Sequence, residues 1–282
     1  MKTKLIKIAL AALAAISFSC SSDSDTSTQD TGMFLNKTEE FSPQQSGFTT
    51  RFVTYYQNNK KICDTTFNNS GVMTFRKDYT RTSSTQTVHS YNRQNVLVSK
   101  TIYTYDSAKR IRNIDSYNGQ NTLVNAREYR YSGHDISLYS TQNGVEALVS
   151  RFRTNDDNLV YIQQGIDNAS MRTLRYTNDL PVELNQDGLL MPYEFYPNMK
   201  PEKIRNTINE INNAALLVVL DHVYNSCNYY LKKVTFTPID ITMNYEKTFN
   251  SENYITYQKT FSQTITTGVV NNSTETFYYY NE

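Results

Sequence analysis

The sequence predicts a mainly β fold: a long antiparallel meander of six hairpin repeats, curled into an open barrel-like or wrapped sheet and capped by one helix. Two observations lead to this prediction. A residue that ends one strand and opens a polar turn recurs every 22 to 26 residues, and a second series of turns lies about half a period away. Between the turns, apolar and polar residues alternate, as in strands with one buried and one wet face. Such a period indicates units that bury apolar surface against their neighbours.

The first series of turns is marked mainly by tyrosine. Its members are Tyr56, Tyr79, Tyr105, Tyr131, Thr154 and Tyr176. Because short turns make consecutive strands antiparallel neighbours, we expect return strands after these turns. The predicted return strands are Lys61–Phe67, Lys109–Tyr117, Ile136–Gln142, Leu159–Gln163 and Pro181–Leu184.

The second series of turns is rich in Asn, Asp and Gly. It comprises Asn69-Ser70-Gly71, Asn92-Arg93-Gln94-Asn95, Asn118-Gly119, Asn143-Gly144, Asn168-Ala169 and Asp187-Gly188. Asn-Gly and Asp-Gly accept positive φ at both central positions of a type I′ turn, whose twist suits a tight hairpin. We therefore expect Gly119 and Gly144 to have positive φ.

The region after the repeats predicts one helix and then further strands. Pro192 and Pro197 are expected to end the meander, since proline lacks the N–H that a strand ladder needs. An apolar stripe at helical spacing then predicts a helix over about 200–225, with a buried strand at Leu216–Leu220 as the alternative. Alternation resumes in the predicted closing strands Tyr230–Thr237, Ile239–Phe249, Tyr254–Thr266 and Thr274–Tyr280. Residues 46–282 thus form a single predicted domain, with the helix against one end of the sheet.

The first residues have the pattern of a targeting segment. Three lysines precede an uncharged run, Ile8–Phe18, that is too short to span a bilayer and suits a signal-peptide core. The following Ser17-Phe18-Ser19-Cys20 resembles the lipobox of bacterial lipoproteins, in the relaxed form common in Bacteroidota. The resemblance implies that residues 1–19 are removed and that Cys20 is acylated. An ordinary secretory signal with an unrelated Cys20 is the alternative.

Residues 20–45 are predicted to be a flexible tether, because their Ser, Thr, Asp and Gln cannot bury enough apolar surface to order themselves. The Ser/Asp run after Cys20 resembles the acidic tether that directs such lipoproteins to the outer face of the outer membrane, and a plain linker is the alternative. We therefore expect an outer-membrane protein that is lipid-anchored and exposed at the cell surface. Its partner would be the membrane, through the N-terminal lipid.

One segment resembles a known repeat. Tyr105-Asp106-Ser107-Ala108-Lys109-Arg110-Ile111 is similar to the Tyr-Asp repeat of the RHS/YD-repeat proteins, in which a strand ends in Tyr-Asp and a Gly-Arg-Leu-like step begins the next. The whole layout is similar to uncharacterised Bacteroidota lipoproteins that carry YD-like strands after an acidic tether, with Leu231–Val234 and Tyr254–Tyr257 as closing strands. The resemblance implies a fold and a location, and it implies no activity.

Composition and motifs exclude several functions. Lys plus Arg number 28 against 27 for Asp plus Glu, so no global field favours nucleic acid. His89, His134 and His222 have no second His or Cys at ligand spacing, and phosphate-binding glycine loops and nucleophile elbows are absent from the sequence. We therefore predict no metal site and no cofactor. Cys63 and Cys227 are either a disulfide or two buried thiols.

The favoured function is a non-catalytic β-sheet surface for binding or scaffolding, with a polysaccharide or another surface protein as partner. A hydrolase acting on an extracellular polymer such as a polysaccharide stays the alternative, because carboxylates from distant strands can converge in the fold.

The repeat also generates a candidate anion-binding row. Arg130, Arg153 and Arg175 each stand one residue before the turn-opening position, on the face opposite the tyrosines. Equivalent strands of a meander are two apart, so these side chains should be spaced by about 9–10 Å. The predicted strands between them carry no carboxylate, and each guanidinium can hold an anionic group with two bonds. The alternative is a set of wet-face arginines paired at strand ends with Glu128 or Glu183.

Overall fold

Eighteen antiparallel strands form the computed structural model of the protein. It describes residues 34–43, 49–57, 60–108, 110–154, 160–165, 171–177, 180–186, 188–195, 231–252 and 254–281. The strands are β1 (Phe34–Pro43), β2 (Thr49–Gln57), β3 (Lys60–Phe67), β4 (Met73–Arg81), β5 (Thr85–Asn92), β6 (Leu97–Tyr105), β7 (Ile111–Asn118), β8 (Leu123–Ser132), β9 (Asp135–Gln142), β10 (Val145–Thr154), β11 (Val160–Gly165), β12 (Met171–Thr177), β13 (Leu180–Gln186), β14 (Leu189–Phe195), β15 (Leu231–Phe236), β16 (Ile241–Phe249), β17 (Ile255–Thr264) and β18 (Val270–Asn281). A 3₁₀ turn at Thr237–Ile239 is the only helix in these ranges.

Strand pairing follows the chain and then returns to its start. Each strand pairs antiparallel with the next one in sequence, and β1 pairs with both β2 and β18. The strand pairing is thus a complete circuit, and every described strand has a partner on each side. The prediction of a long, wrapped antiparallel meander is confirmed.

The predicted repeat also agrees with the structure. The six turn-opening residues lie at or near the ends of β2, β4, β6, β8, β10 and β12. They therefore gather at one end of the sheet, which we call the tyrosine end. The turns of the second series lie at the other end, the asparagine end. The predicted return strands match β3, β7, β9, β11 and β13 to within two residues at each terminus.

Two predicted boundaries are wrong. Residues 34–43, which the composition assigned to the tether, form β1, because Leu35 is 2% exposed in a cluster with Tyr56 and Ile255. The domain therefore starts before residue 46. Pro192 does not end the meander but lies within β14, where the pairing with β15 begins only at Tyr193.

Several predicted features lie outside the described residues. These are the signal peptide, Cys20, the helix over about 200–225, His222 and Cys227. Within the described ranges, no helix combines the length and hydropathy needed to cross a membrane.

The two faces of the sheet differ in packing. A buried cluster joins β7 to β10 with β13 to β16, and opposed pairs such as Tyr129–Leu138 and Val234–Met243 place its members on one face. We call the face that carries this packed cluster the inner face. The other face is the outer face. Directly opposed residues share a face, so the strand register assigns side chains to either side.

Asparagines shape three turns of the asparagine end. Oδ1 of Asn68, Asn92 and Asn118 each accepts the backbone N–H groups two and four positions later. The residue three positions after each asparagine has positive φ: Gly71, Asn95 and Asn121. This is a type I turn followed by a left-handed residue, the usual three-residue hairpin loop.

The predicted type I′ geometry is therefore right for one turn and wrong for another. Asn143 and Gly144 have φ of 52° and 78°, as predicted. Gly119 is not among the positive-φ residues of the described chain, because Asn121 takes that role. A Cβ at Gly119 would lie 2.4 Å from the carbonyl oxygen of Leu97, so this glycine is required by close backbone approach.

Candidate functional site

The predicted arginine row lies on the outer face, but carboxylates accompany it. Arg130 Nη2 is 2.6 Å from Glu128 and 2.6 Å from Glu146, and its guanidinium lies 4.0 Å from the centroid of Tyr139. Hydrogen bonds to Glu128 and Glu146 raise the pKa of Arg130 above its usual range. The charge of this arginine is therefore balanced within the protein.

The other two arginines of the row are also paired. Arg153 Nε is 2.9 Å from Asp135, and Arg175 Nε is 3.4 Å from Glu183. Asp135 is the first residue of β9, one position before the strand predicted there, so the expectation of no neutralising carboxylate is wrong. An anionic polymer would have to compete with these carboxylates. Anion binding by Arg130, Arg153 and Arg175 stays a prediction, and it requires the anion to displace these carboxylates.

Charged pairs recur around the outer face. Glu39 accepts hydrogen bonds from Lys37 and Arg51, and on β4 Arg76 is 3.0 Å from Asp78. On the far side of the circuit, Lys233 in β15 is 3.0 Å from Glu194 in β14. Cations also stack on aromatic rings of this face: Lys37 on Tyr279, Arg51 on Phe67, Arg76 on Tyr91 and Lys100 on Tyr117. The outer face therefore carries paired charges on several strands of the sheet.

A polar cluster on the inner face centres on Asp64 in β3. Its carboxylate accepts a hydrogen bond of 2.8 Å from Thr54 Oγ1 and one from the Tyr79 hydroxyl. Lys61 Nζ is 3.3 Å from the same carboxylate. Burial raises the pKa of Tyr79, and the charge of Asp64 raises it further. Burial lowers the pKa of Lys61, although Asp64 opposes that effect.

The strand register extends this cluster into rows of opposed side chains. One row runs from β4 to β8 and contains Arg81, Gln86, Tyr103, Ile114 and Arg127. A second row runs from β1 to β7 and contains Thr38, Thr54, Asp64, Lys77, Ser90, Ser99 and Asn118. The inner face of these strands is thus lined mainly by polar side chains.

Sequence reasoning did not single out these inner-face groups. It selected arginines one residue before the turn-opening position, which are outer-face residues. The sequence did contain a signal for them, because side chains two residues apart in a strand lie on the same face. Lys77 and Arg81 stand two residues on either side of Tyr79 and therefore share its face. Charged residues flanking a buried tyrosine at this spacing indicate a charged inner face.

Asp64 receives three donors, so its oxygens are engaged in structural contacts. Among the described residues, no group of three or more His, Cys, Asp or Glu side chains could hold a metal ion. His89 lies in β5 opposite Asp78, and His134 Nδ1 is 3.3 Å from Thr154 Oγ1 in a turn. Cys63 lies in β3, 3.6 Å from Thr65 Oγ1.

Comparison with known proteins gives a likeness of fold. No family model and no curated protein matches the chain. Among 23 solved chains that match, one is a porin-like protein from Bacteroides uniformis, known from a crystal structure. The match has a TM-score of 0.52 and 10% identity, and it covers 88% of this chain and 96% of that one. The chain therefore shares a β-rich fold with a Bacteroides protein.

Proposed function

We propose that the protein is a non-catalytic lipoprotein of the outer membrane, anchored through Cys20, whose wrapped sheet stands in water and offers a binding or scaffold surface. The single observation that carries this proposal is the charged outer face, which continues around the strand circuit. The lipobox-like segment before Cys20 and the likeness to a porin-like protein of Bacteroides support the location.

The charges on the outer face make contact between the sheet and lipid unfavourable. Arg153 and Arg175 side chains are 54% and 63% exposed, and both belong to exposed ion pairs. A charged side chain turned toward lipid costs about 2–4 kcal/mol near the middle of a bilayer. Ion pairs at Glu39, Asp78, Glu146 and Glu194 would add to that cost on several sides of the circuit. The acyl chains on Cys20 would therefore supply the membrane affinity.

The inner face supports a binding role. Ser, Thr and Asn side chains line β5 to β8, and Ser140 Oγ donates a 2.9 Å hydrogen bond to Asn125 Oδ1. Such side chains offer hydrogen-bond donors and acceptors to a polar ligand. A polar ligand is thus favoured over a purely apolar one.

Fractionation of a Cys20→Ala variant tests the proposal. The parent should sediment with the outer membrane and be extracted by detergent. Mass spectrometry of its mature N-terminus should find a lipid mass on Cys20 and no Met1–Ser19. The Cys20→Ala variant should be released by carbonate without detergent, because its outer face is compatible with water. A matched Cys63→Ala variant should fractionate like the parent. Retention of Cys20→Ala in the membrane after carbonate would show that the sheet itself contacts lipid, as the name of the porin-like neighbour suggests for that protein.

A further inference from the structure

Exposed apolar side chains collect at one end of the sheet. Among the described residues, fourteen large apolar side chains are exposed, and eleven of them lie at the asparagine end, at most one position from a strand terminus. The other three, Tyr55, Ile62 and Tyr279, lie toward the tyrosine end. Single exposed apolar residues are normal on protein surfaces, but a random scatter would divide them between the two ends. We call the eleven the apolar rim: Val72, Val96, Val98, Leu123, Val124, Val145, Met171, Leu190, Ile265, Val269 and Val270.

The apolar rim follows most of the strand circuit. Even-numbered strands begin at the asparagine end, because consecutive strands are antiparallel. Rim residues lie at the starts of β4, β6, β8, β10, β12, β14 and β18. Equivalent strands are two apart, so rim residues of successive hairpins are separated by about 9–10 Å. The rim is therefore a ring of separate apolar tips and not one continuous patch.

The connections between strands at the asparagine end carry little charge. Among their described residues, Arg93 and Asp240 are the only charged ones, and most of the others are Asn, Gln, Ser, Thr or Gly. The carboxylate of Asp240 accepts the backbone N–H of Thr266 at 3.0 Å, and the Thr266 hydroxyl also donates to it. The tyrosine end differs, since Asp106 and Arg110 form an ion pair within one of its turns. The asparagine end thus combines apolar tips with neutral amides and hydroxyls.

We propose that the apolar rim rests on the lipid bilayer, with its side chains among the headgroups and the outermost acyl carbons. This inference rests on the proposed function, because the acyl chains on Cys20 hold the domain at the membrane and the rim determines which end touches it. A fluid bilayer accommodates separate apolar tips, whereas a protein partner needs a continuous, shape-complementary apolar core. Arg93 is exposed beside the rim, and its long side chain suits the headgroup region.

The predicted tether is long enough for this orientation. β1 begins with Phe34 at the tyrosine end, where Phe34 pairs with Asn281 of β18. Cys20 and Phe34 are 14 positions apart, so the chain between them spans at most about 50 Å. A strand of ten residues such as β10 is about 33 Å long. The anchor therefore permits either end to face the bilayer, and the surface chemistry of the two ends decides between them.

Fluorescent labels at the two ends test the proposal in the full-length acylated protein, reconstituted into phosphatidylcholine vesicles. Val145→Cys places an environment-sensitive label in the rim, where Val145 is 70% exposed, and Ile62→Cys places the matched control at the tyrosine end. Cys63→Ala and Cys227→Ala remove the other thiols. We expect blue-shifted emission and quenching by spin-labelled lipid for Val145→Cys, and water-like emission for Ile62→Cys. Water-like emission of Val145→Cys on vesicles that carry the protein would overturn the rim contact and leave the lipid anchor intact.

An unlabelled measurement isolates the affinity of the rim. Cys20→Ala lacks the acyl chains, so its flotation with excess phosphatidylcholine vesicles depends on the protein surface. Val96→Thr, Val145→Thr and Val269→Thr together should weaken this binding about tenfold, which corresponds to about 1.4 kcal/mol shared by three partly inserted side chains. Threonine keeps the β-branched shape, and Ile62→Thr is the control that should bind like Cys20→Ala alone.

The remaining outcomes separate the rim from the anchor. No binding of Cys20→Ala at any lipid concentration, or equal binding by the triple variant, would overturn the proposal. Sedimentation that finds dimers of Cys20→Ala, lost in the triple variant, would overturn it too, because the rim would then join two copies of the chain. Equal flotation of the parent and Cys20→Ala would contradict the lipid anchor alone, and the Val145→Cys label would still report the rim.

Discussion

The hydroxyl of Tyr131 donates a 2.7 Å hydrogen bond to the carbonyl oxygen of Ile111, the first residue of the neighbouring strand β7. Tyr280 makes the same bond to Ile255, the first residue of β17, also at 2.7 Å. At the tyrosine end, a tyrosine late in an even-numbered strand thus binds the start of the strand before it. Thr154, which replaces tyrosine in the repeat, donates instead to the carbonyl oxygen of His134.

Loss of that hydroxyl should destabilise the protein. Tyr131→Phe leaves the carbonyl of Ile111, a residue only 1% exposed, without this donor, so we expect the free energy of unfolding to fall by about 1–2 kcal/mol. Tyr139→Phe is the matched control, because the Tyr139 ring keeps its stacking with Arg130 on the outer face. Urea denaturation of both variants gives the comparison. Equal stability of the two would mean that the Tyr131 hydroxyl contributes nothing.

Two glycines should respond differently to asparagine. Gly144 has φ of +78° and open space around its Cα, so Gly144→Asn should change stability little, while Gly144→Val should cost more than about 1 kcal/mol. Gly119→Asn should cost about 1–3 kcal/mol, because its Cβ would overlap Leu97 O at 2.4 Å. Thermal unfolding followed by circular dichroism measures both. If Gly119→Asn left the stability unchanged and Gly144→Asn lowered it, this explanation of the two glycines would be wrong.

Acid should weaken the turn at Asp106. Burial alone would raise the pKa of Asp106, but the backbone N–H and guanidinium of Arg110 outweigh it and hold the pKa below its usual value. A depressed folded pKa gives stability that is present at neutral pH and is lost as pH falls below about 4. The unfolding free energy of the parent should therefore decline more between pH 5 and pH 2 than that of Asp106→Asn, whose amide oxygen can still accept the backbone N–H groups. Parallel pH profiles would contradict this assignment.

The arginine row makes a salt-dependent prediction. If Arg130, Arg153 and Arg175 bind an acidic polysaccharide, the polymer must displace Glu128, Glu146, Asp135 and Glu183, so binding should appear only at low ionic strength. Titration of the parent and of the triple Arg→Gln variant at low and high salt measures this. Lys77→Gln, on the other face, should leave that binding unchanged. Absence of binding at low salt, or equal binding by the triple variant, identifies the row as paired wet-face arginines.

The sequence predicted the strands well because both of its signals are local. Period-two alternation and the tyrosine series located β2 to β13 and the hairpin order. The signals failed where a distant strand decides the outcome. Segment 34–43 is polar by composition, and it becomes a strand only because β2 and β18 lie on either side. Gly119 is likewise explained by the backbone of Leu97, a strand away.

The candidate sites were less accessible to sequence reasoning for the same reason. The face of Arg153 could be predicted, but its partner Asp135 lies 18 positions earlier and is brought close by the register. The polar cluster around Asp64 combines residues of β2, β3 and β4, which only the strand register brings together. Burial and register had to be known before that group could be recognised.

The contact between β1 and β18 has a consequence for how the chain reaches its native state. All other pairs among the described strands join neighbours in sequence, whereas Tyr279 and Glu39, which are 3.4 Å apart, are separated by 240 positions. This seam cannot form until both ends of the chain are present, so it is expected to be the slowest contact of the sheet. Until it forms, two unpaired strand edges are exposed, and each can accept a strand of another molecule. Folding of this protein therefore carries an aggregation risk that ends only when the seam is made.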